Sequence, residues 1–334
     1  LTSSLPASVA KLQQLRASSR YRRSAPNWPL LLFAAVSFTL SRPPAVQVGR
    51  AFSLPVPPPP PKPAFLADRR PDADLYSNGL EIRSNYKTTS TPRVYRTYDR
   101  ATLAIQPPQT RPAGIVFHTT ESLVAPMEAD QIGSLTRNRE DVLAHVRRDR
   151  LYNFVIDRFG QVFQVVPQDQ TAYHAGHSIW ADSTHVYIDL NESFLGVAFE
   201  MKAGEAPTAA QIHAGKLLTE VLRGAYGIQD ANCVTHAQVS VNPSNLRIGF
   251  HTDWGGGFPF SDVGLTAGYG APIAAVELFG FGYDEHLLSA IGGRPWQGLL
   301  AAEQQILIDA AAHGALGPRY RTTLQQQYRN LRRK

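Results

Sequence analysis

Between residues 41 and 64 the chain holds nine prolines, five of them consecutive from Pro57 to Pro61. Proline lacks a backbone N–H and has a fixed φ, so this stretch forms neither a helix nor a central strand. It is expected to be an extended, semi-rigid spacer. The chain is thereby divided, and any hydrophobic core must be built from residues beyond Ala64.

The segment before the spacer has its own character. WPLLLFAAVSFTL, Trp28–Leu40, is an apolar run after five positive charges in a basic leader, residues 1–27. Spanning a bilayer takes roughly 20 apolar residues, and the shorter run suits the central region of an export signal or an anchor. The expected location is therefore exported, periplasmic or cell-envelope, with membrane contact through this segment.

The net charge of +6 belongs to that leader. No Asp or Glu precedes Asp68, whereas residues 1–67 carry eight Lys or Arg. Residues 68–334 hold 25 basic against 27 acidic groups, and a further basic cluster lies in the last 16 residues. A nucleic-acid-binding domain carries its positive charge on the folded face, so nucleic acid is not an expected partner. Cys233 is the only cysteine. That excludes an intramolecular disulfide and structural zinc sites of four cysteines or of two cysteines and two histidines. In NCVTHA it reads as a small buried strand residue.

Beyond the spacer, short apolar runs alternate with helical patterns. GLEIRSNY (79–86) reads as a strand in an N-terminal extension, residues 65–113. GIVFHTT (114–120) reads as a buried strand ending in polar residues. Helical spacing over about 127–150 places Ile132, Leu135, Val142, Leu143 and Val146 on one face. YNFVIDRFGQVFQVV (152–166) reads as a hairpin turning at Asp157–Gly160. FLGVAFEM (194–201) and ANCVTHA (231–237) read as further strands. Thr208 and Gln211 have capping-box spacing before a helix that buries Leu217, Leu218, Val221, Leu222 and Ala225. The class is α/β, a central mixed sheet flanked by helices. The core spans 114–260, and residues 261–334 form a C-terminal extension with a helix at about 298–313 and a solvated basic end.

Ten histidines are present. His118 and His236 end apolar strands, and Asp253 lies further on in the glycine-rich HTDWGGGF. Two imidazoles and a carboxylate from separate strand ends can make a three-ligand zinc site with an open fourth position. A second cluster, His174, His177 and His185, is closer in sequence. Neither has a regular metal-motif spacing, and the residues alone leave both readings open.

Six segments in order carry a resemblance that decides between them: GIVFHTT, LYNFVIDRFGQVFQVVP, TAYHAGHS, NESFLGVAFE, VTHAQVS and HTDWGGGF. Together they resemble the zinc-dependent N-acetylmuramoyl-L-alanine amidases, a family that includes peptidoglycan recognition proteins and phage-lysozyme-type amidases. The resemblance implies one Zn2+ per chain on His118, His236 and Asp253, and peptidoglycan or muropeptide as partner. It implies cleavage of the amide between N-acetylmuramic acid and L-alanine of the stem peptide. Tyr152 corresponds to an active-site tyrosine, and His174 and Asn191 to substrate-groove positions. Two departures stand out. Some members carry a catalytic glutamate two residues after the strand glycine, where this chain has Ala198. Glu200, further along that strand, is either a substitute base or a structural carboxylate. His251 stands where many members have lysine, a place suited to stabilising an oxyanion. The rival readings are a non-catalytic muropeptide-binding module and a zinc amidase for another peptide.

Overall fold

A computed structural model describes residues 63–266 and 268–333. The basic leader, the apolar run 28–40 and nearly all of the spacer lie outside the described residues. Among the described residues no helix is long and apolar enough to cross a membrane.

The sheet is mixed, and its eight strands run in the order Leu66–Arg69, Ala73–Tyr76, Glu81–Arg83, Val162–Gln164, Phe154–Ile156, Phe194–Phe199, Gly114–Thr119, Cys233–Thr235. The first three form an antiparallel meander, and 154–156 and 162–164 form the expected hairpin. The last four strands are mutually parallel. Both long central strands are buried throughout, which is why each reads as an uninterrupted apolar run. Side chains alternate across the sheet. Ile115, Phe117, Val197 and Phe199 face one core with Phe154, Ile156 and Phe258, whereas Val116 packs with Trp180, Tyr187 and Phe194 on the other face. His118 shares the face of Val116.

Helix α1, Ile132–Asp149, buries Leu135, Leu143 and Val146, with Ile132 left exposed. Its first turn begins later than the sequence pattern suggests, after a short 3-10 turn at Ala129–Gln131. Helix α2, Ala209–Tyr226, packs Leu218, Val221 and Leu222 into the first core, and Ala225 is exposed. Both bonds of its capping box form: Gln211 N to Thr208 Oγ1 at 3.1 Å and Thr208 N to Gln211 Oε1 at 3.0 Å. The run 231–237 is a strand only over Cys233–Thr235. His236 instead begins a single helical turn, α3, His236–Val239.

The C-terminal extension departs further from expectation. It contains α4 (Ala274–Phe279), α5 (Glu285–Ala290), α6 (Gln297–Ala312) and α7 (Gly317–Leu331). The basic end is not a solvated tail: α7 buries Leu324, Tyr328 and Leu331, an i, i+4, i+7 stripe that the flanking charges mask in sequence. These helices form a separate core with Ile179, Val186, Ala237 and Ile248.

Candidate metal centre

Open α/β sheets present functional groups beyond the carboxyl ends of their parallel strands. His118 is the next-to-last residue of Gly114–Thr119, and His236 comes directly after Cys233–Thr235. Asp253 sits on a turn closed by Gly255 N donating to the Thr252 carbonyl at 2.8 Å, and Ala237 N reaches the Asp253 carbonyl at 3.3 Å. Three side chains distant in sequence thereby converge. Asp253 Oδ2 lies 3.1 Å from His118 Nδ1, and Oδ1 lies 2.7 Å from His236 Nδ1. One ligand atom from each residue fits within a 4.8 Å span.

Hydrogen bonding behind His118 determines its tautomer. His174 Nε2 lies 3.2 Å from the Phe194 carbonyl, which can only accept, so Nε2 bears the proton. Burial, with His118 alongside, lowers His174 far below the usual imidazole range, so the ring is neutral and its Nδ1 is an acceptor. That Nδ1 is 3.0 Å from His118 Nε2, which must then be the donor. His118 is neutral as well, lowered to about 4 by burial and by His236. Its Nδ1 is therefore a bare lone pair, and it faces a carboxylate oxygen. Two acceptors at 3.1 Å repel unless a cation lies between them. Burial alone would raise the Asp253 carboxyl, but His236 overcomes that effect and holds it below the carboxylate range. The donor set, two imidazoles and one carboxylate, fits Zn2+ with room for a fourth ligand.

The remaining sequence candidates fall into distinct places. His174 is 6% exposed and stands behind His118 rather than in an open groove. Gly196 makes room for it, since a Cβ there would come 2.6 Å from the His174 ring. Asn191 lines a separate cleft with Tyr173 and Ile188, and its Oδ1 accepts from His174 N at 2.9 Å and Ala175 N at 2.7 Å, fixing the loop that carries His174. The Tyr152 ring lies 5.1 Å from that of His118. His251 stacks on His236 at 4.8 Å and lines a cleft with His177, Asn242 and Phe250. The alternative cluster does not assemble, because His177 and His185 pair with Asp189 and Asp182.

Glu200 lies away from the chemistry expected of a base. It is 2% exposed, and its charged neighbours are Asp157, Arg158 and Arg139 rather than any of the three ligands. Burial and then Asp157 push its carboxyl up to about 7 from 4.5. A group that holds its proton more tightly folded than unfolded costs stability as pH rises between those values, here on the order of 3 kcal/mol. Glu200→Gln should therefore melt several degrees above wild type at about pH 8 and close to it at about pH 4.5. An equal difference at both values would reject this account.

Two features escaped sequence reasoning. Glu121, three residues past His118, lines a cleft of about 530 Å³ with Asp253, Thr119 and Thr252. The C-terminal extension grips the ligand turn. Tyr269 Oη donates to the Trp254 carbonyl at 2.6 Å and Trp296 Nε1 to the Gly255 carbonyl at 2.9 Å, and the two rings stack at 5.2 Å. Trp254 takes a left-handed φ of 57°, where bulky residues are disfavoured. Its indole is seated between Phe199 and Phe258, which explains a tryptophan in this turn.

Residues 108–255 match the family model described as N-acetylmuramoyl-L-alanine amidase. Over that segment, less than half of the chain, the protein is similar to this family, and all three candidate ligand residues lie within it. No curated protein sequence matches the chain. Among solved structures, AmpD, as a selenomethionine derivative, aligns with a TM-score of 0.35 at 20% identity, over 54% of this chain and 93% of its own. AmiD from E. coli, in complex with the substrate anhydro-N-acetylmuramic acid-L-Ala-D-γ-Glu-L-Lys, aligns with a TM-score of 0.35 at 21% identity, over 46% and 56%. Drosophila peptidoglycan recognition protein SD aligns with a TM-score of 0.32 at 19% identity, over 48% and 85%.

Proposed function

We propose that this protein is a zinc hydrolase, an amidase that cleaves the bond between N-acetylmuramic acid and L-alanine of the peptidoglycan stem peptide. The observation that carries the reading is the bare His118 Nδ1 facing the Asp253 carboxylate, with His236 alongside, inside the amidase segment. His118, His236 and Asp253 hold one Zn2+. When bound, it supplies Lewis acidity toward the scissile carbonyl and lowers the pKa of water.

The chain's own groups supply the rest. Burial, Asp253 and Glu121 hold the Tyr152 phenol above its ordinary value, so it stays protonated and acts as a hydrogen-bond donor. Burial and His236 lower His251, whose neutral ring can donate one hydrogen bond to the oxygen on which charge develops. His174 and Asn191 act one layer back, by orienting His118. The apolar run 28–40 and the proline-rich spacer suit an exported enzyme held at or beyond a membrane, working on the cell wall.

Mass spectrometry of muropeptides after digestion tests the reading together with metal analysis of the protein. The expected result is one zinc per chain and release of peptides with a free L-alanine amino terminus. Muropeptides bound but uncut would favour a binding module, and cleavage at another amide would reassign the substrate.

A further inference from the structure

We propose that Glu121 is the general base and proton carrier of the amide hydrolysis. The inference rests on the proposed amidase function and names a residue for a step that function requires. Attack by water on an amide needs a group to remove the water's proton and return it to a poor leaving nitrogen.

The other candidates are committed elsewhere. Asp253 and both histidines are ligands. Tyr152 stays protonated. Glu200 is enclosed with Asp157 and Arg158. Glu205, on the same cleft as Glu121, is paired with Arg158 at 2.7 Å. Glu121 remains. Its carboxylate has no hydrogen bond or ion pair among the described residues, and it lines the cleft that Asp253 also lines. Burial, and then the charge of Asp253, raise its carboxyl, and it is felt in turn at Tyr152. The backbone adds an independent sign. Glu121 has φ of 50°, a left-handed conformation that costs a residue with a Cβ and suits glycine. Such strain in a residue concentrates at functional sites. Here it turns the chain immediately after the strand that carries His118.

The step balances within these groups. As the water oxygen bonds to the carbonyl carbon, one of its protons passes to a Glu121 oxygen. As the C–N bond breaks, that proton goes to the departing nitrogen. A carboxylic acid and an amine leave, and Glu121 returns to its starting form.

The test compares zinc-loaded full-length wild type, Glu121→Gln and Glu121→Gly on a soluble N-acetylmuramoyl-L-alanyl peptide. It reads kcat, KM, zinc affinity by chelator competition, and the Tm of the metal-free protein. Glu121→Gln should lose roughly 100-fold or more in kcat, with KM and zinc affinity at wild-type values. Glu121→Gly should lose as much kcat yet melt above wild type, because its backbone is unstrained. Wild-type kcat in Glu121→Gln would overturn the proposal. So would a loss carried by KM, which would mean substrate binding, or by zinc affinity, which would mean a fourth ligand. A lowered Tm in Glu121→Gly would mark the residue as structural. Wild type that leaves the peptide uncut would instead remove the amidase reading and this role with it.

Discussion

Asp253→Ala is expected to leave the protein folded, without bound metal, and slower on muropeptides by roughly 10³-fold or more. The carboxylate spans both imidazoles, 3.1 Å from His118 Nδ1 and 2.7 Å from His236 Nδ1. It is the only anion of the ligand set. Without it two imidazoles remain, fewer than the three protein ligands a catalytic zinc requires. The fold should survive because the turn is secured by its neighbours, through the carbonyls of Trp254 and Gly255, and not by the aspartate. Metal content by plasma emission and the rate of amino-terminus release measure the two effects on one preparation. Asp253→Ala protein that still carries a full equivalent of zinc would show that the ligands lie elsewhere.

His174→Phe should weaken zinc binding by roughly 10- to 100-fold, the usual result of removing a group that orients a ligand. The ring shape is kept in the space opposite Gly196, while the acceptor for His118 Nε2–H is removed. His118 is then free to move its proton to Nδ1, the nitrogen needed for the metal. Nitrogen NMR of the imidazoles in the metal-free protein reports this directly. Wild type should show the Nε2–H form of His118 alone, and the variant a mixture. Unchanged affinity together with an unchanged tautomer would mean that the 3.0 Å contact with His174 has no orienting role.

His118 and His236 were legible as candidates because they end or directly succeed apolar runs that read as buried strands, but it was the family resemblance that singled them out together with Asp253. GIVF and NCVT mark the strands, and the polar residues after them mark the functional end. The positions of His174 and Asn191 were less legible. Sequence places both near a groove, but which side of the sheet edge His174 occupies depends on the space left by Gly196 in a neighbouring strand. Glu200 stayed open between base and structural carboxylate because strand alternation predicts its face but not its charged neighbours, which come from the hairpin and α1. Glu121 was missed because a left-handed turn at a glutamate has no sequence signature. Helix α7 was missed because six basic groups in the last 16 residues obscure three buried ones.

The stretch that matches the family ends at Gly255, the residue whose carbonyl receives the Trp296 indole. The family match therefore stops in the middle of a mechanically connected unit. A fragment cut at that limit would keep all three ligands and lose both restraints on the turn that delivers the third. A shortened chain that keeps these restraints has to run past Trp296, and the C-terminal helices are better regarded as part of the support for this turn than as an appendage.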